Sequence, residues 1–294
     1  IVVPRGKGLG GSTLINGMIF VRGQPQDFDT WAQSGNRGWA WADVLPYFRK
    51  LEHFEGGDPS LRGRGGPLHV TRVGVRNPLA DAFIRAGVEA GYPANPDYNG
   101  ASQEGFGYYQ ANQRRGRRWS ARDAYLQPAR TRPNLTVRTN AHVLRLDLDG
   151  MRVTGVTYRR DGRDGREERV TARAEVILAA GAVQSPHLLE LSGIGRPEVL
   201  SAAGIPVRHA LPGVGENYRD HYATRMNWRV KLPVTLNEMT RGWRLGLAVG
   251  HGDDIGQLAG GRFGGDLVLD QRTEAGEDGA GGGVMPGRPG PRAV

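Results

Sequence analysis

The residues at the head of the chain whose types and spacing carry chemistry are glycines. Gly6, Gly8 and Gly11 match G-x-G-x-x-G within Gly6-Lys-Gly-Leu-Gly-Gly-Ser-Thr13. Closely spaced glycines let backbone N–H groups approach the pyrophosphate of a dinucleotide. The dinucleotide fingerprint also needs a strand before it, a helix after it and an acid about 20 residues on. Here only Ile1-Val2-Val3 precedes Pro4, and the available acids, Asp27 and Asp29, lie in a polar stretch containing Gly and Pro. The Gly-Lys-[Ser/Thr] order of a phosphate-binding P-loop is absent. Three readings stay open: a first Rossmann turn, a plain glycine-rich loop, or a loop entering a helix near Ser12. The last accounts best for the residues, because free N–H groups and the Ser/Thr hydroxyls would then face an anionic pyrophosphate.

The other chemistry-bearing types are less pointed. His53, His69, His142, His187, His209, His221 and His251 are scattered, with no metal-ligand spacing. Asp147, Asp149, Asp161 and Asp164 fall at expected hairpin tips, where Asp serves turn chemistry without a metal. Arg114-Arg-Gly-Arg-Arg-Trp-Ser-Ala-Arg122 has the look of an RNA-binding stripe with an aromatic for stacking. An Arg-rich nucleic-acid-binding protein is therefore the competing class. The absence of cysteine excludes disulfides, thiolate metal sites and a Cys nucleophile. The net charge is +9, carried almost wholly by Arg, since the lysines are Lys7, Lys50 and Lys231. High Arg, Gly and Ala with little Lys fits a GC-rich genome, so the charge is a weak functional clue. No apolar run approaches the roughly 18 residues of a membrane span, and a cytoplasmic protein is expected.

These residues need elements to hold them. Apolar residues at helical spacing predict a short helix from Asp43 into the 50s. Asn77, Pro78 and Gly91 read as cap, first turn and stop of a second helix. Leu135–Arg138, His142–Leu148, Val153–Tyr158, Glu168–Ala172 and Glu175–Ala179 read as strands, with turns at Asp149-Gly150 and Asp161-Gly162. Val176-Ile-Leu-Ala-Ala-Gly181 reads as a buried strand leading to a helix capped by Ser185 and stopped by Gly193. A short helix is expected from Pro197 to Gly204, and a strand at Arg225–Leu232. Segment 246–294 holds 15 glycines and no useful period, and is expected to be disordered or the product of a shifted reading frame.

Two long phrases resemble a known family. Pro4-Arg-Gly-Lys-Gly-Leu-Gly-Gly-Ser-Thr-Leu-Ile-Asn-Gly-Met18 resembles the first signature of the glucose–methanol–choline (GMC) oxidoreductases, and Gly181-Ala-Val-Gln-Ser-Pro-His-Leu-Leu-Glu-Leu-Ser-Gly-Ile-Gly195 resembles the second. Gly38-Trp-Ala-Trp, Ser120-Ala-Arg-Asp-Ala-Tyr-Leu, Pro133-Asn-Leu-Thr-Val and Val214-Gly-Glu-Asn-Tyr-Arg-Asp-His221 are similar to other family phrases. The wording is closest to the choline dehydrogenase-like branch, over roughly residues 3–245.

The resemblance implies an α/β fold: a Rossmann-like FAD-binding domain with an interleaved α+β substrate domain, incomplete here. It implies a flavin-contacting loop and lid segment over 1–58, substrate-domain parts over 59–132 and 215–245, and the FAD-binding domain over 133–214. It places Gly10, Gly11 and Ser12 on the FAD diphosphate, Asn16, Gly17, Met18 and Ile19 beside the isoalloxazine ring, and backbone near Val143 at the adenine. Some relatives attach FAD covalently through a histidine just before the glycine loop. Val3 stands there, so non-covalent FAD is expected. The implied activity is oxidation of a primary alcohol by hydride transfer to flavin, with oxygen, a quinone or another species taking the electrons. A lyase on the same scaffold is an alternative. The histidine that takes the alcohol proton belongs to a C-terminal region that none of the seven histidines matches. The chain is therefore expected to be an inactive fragment, lacking also the family's opening βαβ unit. Trp31, Trp39 and Trp41 are too few to claim an aromatic cage for a cation.

Overall fold

The structure is a computed structural model describing residues 3–74, 76–160 and 165–221, with Val230 and Thr235. It divides into two compact units, one of Ile1–Pro128 with Leu232–Val294, the other of Ala129–Lys231. Helices and short sheets alternate, as the expected α/β class requires.

In the first unit a single 3-10 turn, Gly11–Leu14, follows the glycine loop. Helix α1 (Pro25–Gln33) and helix α2 (Trp41–Leu51) come next. Each begins with an Asp at its third residue accepting the N–H of the residue before the helix: Asp27 from Gln24 at 2.8 Å, Asp43 from Ala40 at 3.2 Å. That satisfies one otherwise orphaned donor per helix. Phe28 is buried between them, its ring 5.4 to 5.6 Å from those of Trp31, Trp41 and Phe48. The tryptophans thus pack on this aromatic cluster, with Trp39 against Trp31. Strand β1 (Glu52–Phe54) continues directly from α2 and pairs in parallel with β2 (Leu68–Arg72).

Helix α3 (Pro78–Glu89) starts as the sequence predicts. The Asn77 side chain accepts from the Leu79 N–H at 2.9 Å, and Gly91 follows in the left-handed region at φ 94°. Strand β3 (Gln110–Ala111) pairs antiparallel with β2. Strands β4 (Gln113–Arg114) and β5 (Arg117–Arg118) form a hairpin turning at Arg115-Gly116, both at positive φ. A five-residue π turn, Arg122–Leu126, then runs into α4 (Gln127–Ala129).

The second unit is built on an antiparallel meander of β6 (Ala141–Asp149), β7 (Arg152–Arg160) and β8 (Glu167–Thr171). The turn at Gly150 is present, with φ 55°. Helix α5 (Gly181–Leu191) is tied to the meander where the Ser192 hydroxyl accepts the Leu146 N–H at 2.8 Å. Short β9 (Ile194–Gly195), helix α6 (Pro197–Ala202) and β10 (His209–Ala210) complete it, with β9 and β10 parallel. Leu146, Leu188 and Leu200 are buried in this unit.

Three sequence expectations are corrected. Leu135–Arg138 and Glu175–Ala179 are not strands. A segment becomes a strand only when a neighbour supplies the ladder, and among the described residues neither is paired in a sheet. Val176–Gly181 is accordingly not buried, and Ile177 is 80% exposed. Ser185 does not cap α5, which begins a turn earlier at Gly181. Its hydroxyl instead accepts the Ala180 N–H at 3.0 Å from inside the helix. The Asp161-Gly162 turn, the strand at Arg225–Leu232 and the glycine-rich tail lie outside the described residues. Among the described residues no helix is long and apolar enough to cross a membrane.

Candidate functional site

The glycine loop folds back on itself. A Cβ on Gly6 would lie 2.2 Å from the Gly11 carbonyl oxygen, so only glycine permits this turn. The Ser12 hydroxyl accepts the Gly6 N–H at 3.2 Å, and the Thr13 hydroxyl donates to the Gly10 carbonyl. Gly10 is at φ 113°, and a Cβ there would press to 3.3 Å from the Arg122 backbone nitrogen. The α-helix expected near Ser12 is only the four-residue 3-10 turn, because Gly17 and the left-handed Met18 follow at once. With so little helix there is no macrodipole to speak of. What remains for an anion is individual donors. The N–H groups of Gly10, Ser12 and Gly17 have no partner among the described residues. A Cβ built on Gly11 or Gly17 would meet nothing within 4 Å.

Beyond the turn, Asn16 and Met18 shape the chain. The Asn16 side-chain oxygen accepts the Met18 N–H at 3.2 Å and an Arg118 N–H at 2.7 Å. Met18 is buried and held at φ 62°, a conformation uncommon for any residue but glycine. Its carbonyl accepts the Asn112 N–H at 2.8 Å, Ile19 bridges Ala111 antiparallel, and Phe20 donates to the Gln110 carbonyl at 2.9 Å. The segment is thus stitched onto the β3 end of the sheet, while Ile19 stays 49% exposed. A second support comes from behind. Thr13 Oγ1 accepts the Ala121 N–H at 3.0 Å, and Arg118 donates to the Thr13 carbonyl at 3.1 Å. Loss of water around the Arg118 guanidinium lowers its pKa.

Gly10, Gly11, Ser12, Asn16, Gly17, Met18 and Ile19 therefore form one continuous edge of the first unit. Val143 belongs to the second unit. It lies on β6, half-buried and paired with Tyr158, beside an irregularity in register before Arg145.

Sequence spacing did not reveal the charged centre beneath this segment. Glu52 is wholly buried and receives Arg22 at 2.5 Å and Arg62 at 2.5 Å. Arg62 also reaches Asp97, and Gln110 at 2.9 Å, and lies over the Phe54 ring at 3.9 Å. Arg22 takes its own N–H to Asn99 at 2.8 Å. Desolvation lowers the Arg22 pKa, with Glu52 opposing. Tyr98 and Asn99 both donate to the Phe20 carbonyl, at 2.9 and 3.0 Å. Residues far apart in sequence meet here, so only the fold could pair them.

The remaining candidates fall into ordinary roles. Of the Arg stripe, Arg118 serves the loop and Arg114 covers the Trp119 ring at 4.8 Å. The Trp119 indole N–H donates to the Pro67 carbonyl at 2.8 Å, and the His69 ring meets the Trp119 ring edge-on at 5.3 Å, so the side chain is engaged within the fold. The His53 and His69 rings meet at 4.6 Å, tilted by 59°, beside a cavity of about 570 Å³ that Arg72, Arg114 and Arg115 also line. His187 lies on α5 near Gln184, and the exposed His221 donates its backbone N–H to Asp220. Among the described residues no group of three or more acids or histidines is placed to hold a metal.

The sequence profile of the GMC oxidoreductase family matches residues 1–223. The oxygen-dependent choline dehydrogenase of Sinorhizobium medicae is 50% identical over 236 residues, covering 80% of this chain and 42% of that protein. The enzyme of the same description from Brucella anthropi is 47% identical over 237 residues. The chain thus spans 42% of the length of these relatives. Among solved structures, pyridoxine 4-oxidase from Mesorbium loti superposes with a TM-score of 0.65 at 40% identity, over 71% of this chain and 41% of its own. An FAD-dependent oxidoreductase from Chaetomium thermophilum gives 0.69 at 32% identity, over 73% and 39%. On the two signature phrases, the matched profile and these relatives, the chain belongs to the GMC oxidoreductase family.

Proposed function

We propose that this chain carries the flavin-contacting loop and adenine-side strand of an FAD-dependent alcohol oxidoreductase of choline dehydrogenase type. The observation that carries the reading is the Gly10–Ile19 edge. It combines free backbone donors, open glycines and a strained left-handed Met18 anchored from two sides. Backbone strain of this kind costs of order 1–3 kcal/mol and persists where the surroundings over-determine it.

When bound, FAD supplies the hydride acceptor for oxidation of a primary alcohol. The Gly10 and Ser12 N–H groups donate to its diphosphate, with Gly11 giving close approach. Asn16, Gly17, Met18 and Ile19 line the ring edge, and the exposed Ile19 side chain keeps water from that edge. Backbone at Val143 meets the adenine. Val3 has no nucleophile, so the attachment is non-covalent. Segment 1–58 is the flavin loop and lid, 133–214 the FAD-binding domain, and 59–132 with 215–245 the substrate domain. Electrons leave to oxygen, a quinone or another acceptor, and the protein acts in the cytoplasm.

None of the described histidines stands in the setting of a base for the alcohol proton, so this chain alone is inactive. Anaerobic titration of the purified chain with FAD, then choline, tests both parts. Flavin fluorescence is quenched on binding, and the flavin absorbance band survives choline. Failure to bind FAD overturns the assignment; bleaching by choline overturns the inactivity.

A further inference from the structure

We propose that Arg118 is a positioning residue that fixes the Asn16 carboxamide as a pure hydrogen-bond donor toward the flavin. The proposal rests on the reading that Asn16 faces the ring.

A carboxamide oxygen has two lone pairs, and its nitrogen has two N–H bonds. In Asn16 both lone pairs are used, by the Met18 N–H at 3.2 Å and by Arg118 Nη1 at 2.7 Å. The Asn16 NH2 has no partner among the described residues. Rotating the amide by half a turn would set its NH2 against two other donors, one of them cationic. That arrangement forfeits two hydrogen bonds and adds repulsion. The network therefore selects one orientation of the amide. Without Arg118 the preference rests on the Met18 bond alone.

Arg118 is built for the task. Its Nη1 spans the Thr13 carbonyl at 3.1 Å and Asn16 at 2.7 Å, so one guanidinium nitrogen joins the 3-10 turn to the segment that follows it. It comes from β5, while a second tie, Ala121 to Thr13, comes from the residue just before the π turn. Partial desolvation strengthens a charge-assisted hydrogen bond of this kind. The chemistry that matches a fixed donor is an acceptor, which the pyrimidine edge of a flavin offers and its dimethylbenzene edge does not.

Two variants separate the clamp from the donor. Arg118→Met removes the clamp. Asn16→Asp keeps a partner for Arg118 but has no N–H to give. In the flavin-free protein, NMR is expected to show the Asn16 side-chain carbonyl carbon shifted from the solvent-averaged position by the two hydrogen bonds its oxygen accepts, and Arg118→Met is expected to return it most of the way. On FAD titration each variant is expected to bind about tenfold more weakly than wild type, and to leave the bound flavin's visible spectrum less resolved. A solvent-averaged Asn16 side-chain carbonyl carbon in the wild type overturns the proposal, as does wild-type FAD affinity in Asn16→Asp. If the wild-type carbonyl carbon is shifted but FAD does not bind, the flavin assignment fails and the clamp stands. Should Arg118→Met fail to fold, the wild-type carbonyl signal and Asn16→Asp decide the question alone.

Discussion

Arg62 grips Glu52 with two of its nitrogens, Nη2 at 2.5 Å from Oε1 and Nε at 3.2 Å from both carboxylate oxygens, and both side chains are fully buried. The pair ties the first residue of β1 to the loop between β1 and β2, in the sheet on which the Met18–Phe20 segment rests. Breaking a buried ion pair from one side costs about 3–5 kcal/mol, because the surviving charge stays buried. Glu52→Gln leaves Arg22 and Arg62 sharing a neutral partner. Urea unfolding should show that loss as a lower midpoint with an unchanged slope. A midpoint within experimental error of wild type would show that the network contributes nothing net.

Gly87 sits inside α3 where a Cβ would meet the Phe106 ring at 2.6 Å. Helix propensity favours Gly87→Ala by up to about 1 kcal/mol. Overpacking against a ring costs about 1–3 kcal/mol. The clash is expected to win, so the variant should melt lower than wild type. A higher melting temperature would mean that the ring gives way freely.

Tyr98 holds two backbone groups at once, donating to the Phe20 carbonyl at 2.9 Å and accepting the Gln110 N–H at 2.7 Å. Burial raises its pKa, as expected for a phenol kept neutral. Tyr98→Phe should cost about 1–3 kcal/mol by leaving a part-buried donor without its acceptor. Hydrogen exchange should quicken at Phe20 and Gln110. Unchanged exchange at both would count against Tyr98 as an anchor of the loop.

His69 titrates below its ordinary value of 6.5, through burial first, then Arg114 and His53, with Glu55 opposing. The unfolded chain then takes up the proton more readily than the folded one. Stability is unaffected above pH 6.5 and declines as pH falls through it toward the folded value. NMR titration of the His69 ring should give a midpoint below 6.5 that Arg114→Met moves upward. A midpoint at or above 6.5 contradicts this account of the cavity.

Local signals survived the passage from sequence to structure, and non-local ones did not. Asn77, Pro78 and Gly91 bound α3 because caps and stops act through neighbouring backbone. The β6–β7 hairpin was legible because period-two alternation and a Gly turn are written locally, within Ala141–Arg160. Val176–Leu178 reads equally well as a strand, yet strand formation depends on a partner that periodicity does not name. At the candidate site, the glycines and Asn16 are proposed from the family phrase. The support from Arg118 is separated from Asn16 by 102 residues, and the Glu52 centre likewise joins distant positions. No spacing rule reaches that far. The Arg stripe resembles a nucleic-acid surface by composition alone, a competing reading that the sequence disfavours, and in the structure Arg118 and Arg114 are engaged within the fold.

The central claim is that the Gly10–Ile19 edge contacts flavin. Hydrogen-exchange mass spectrometry of the purified chain, with and without saturating FAD, tests it at the backbone donors themselves. The account predicts that slowing of exchange concentrates in peptides covering residues 8–20, with a second protected stretch around Val143. FAD bound at saturation with residues 8–20 exchanging as they do without it would contradict the claim.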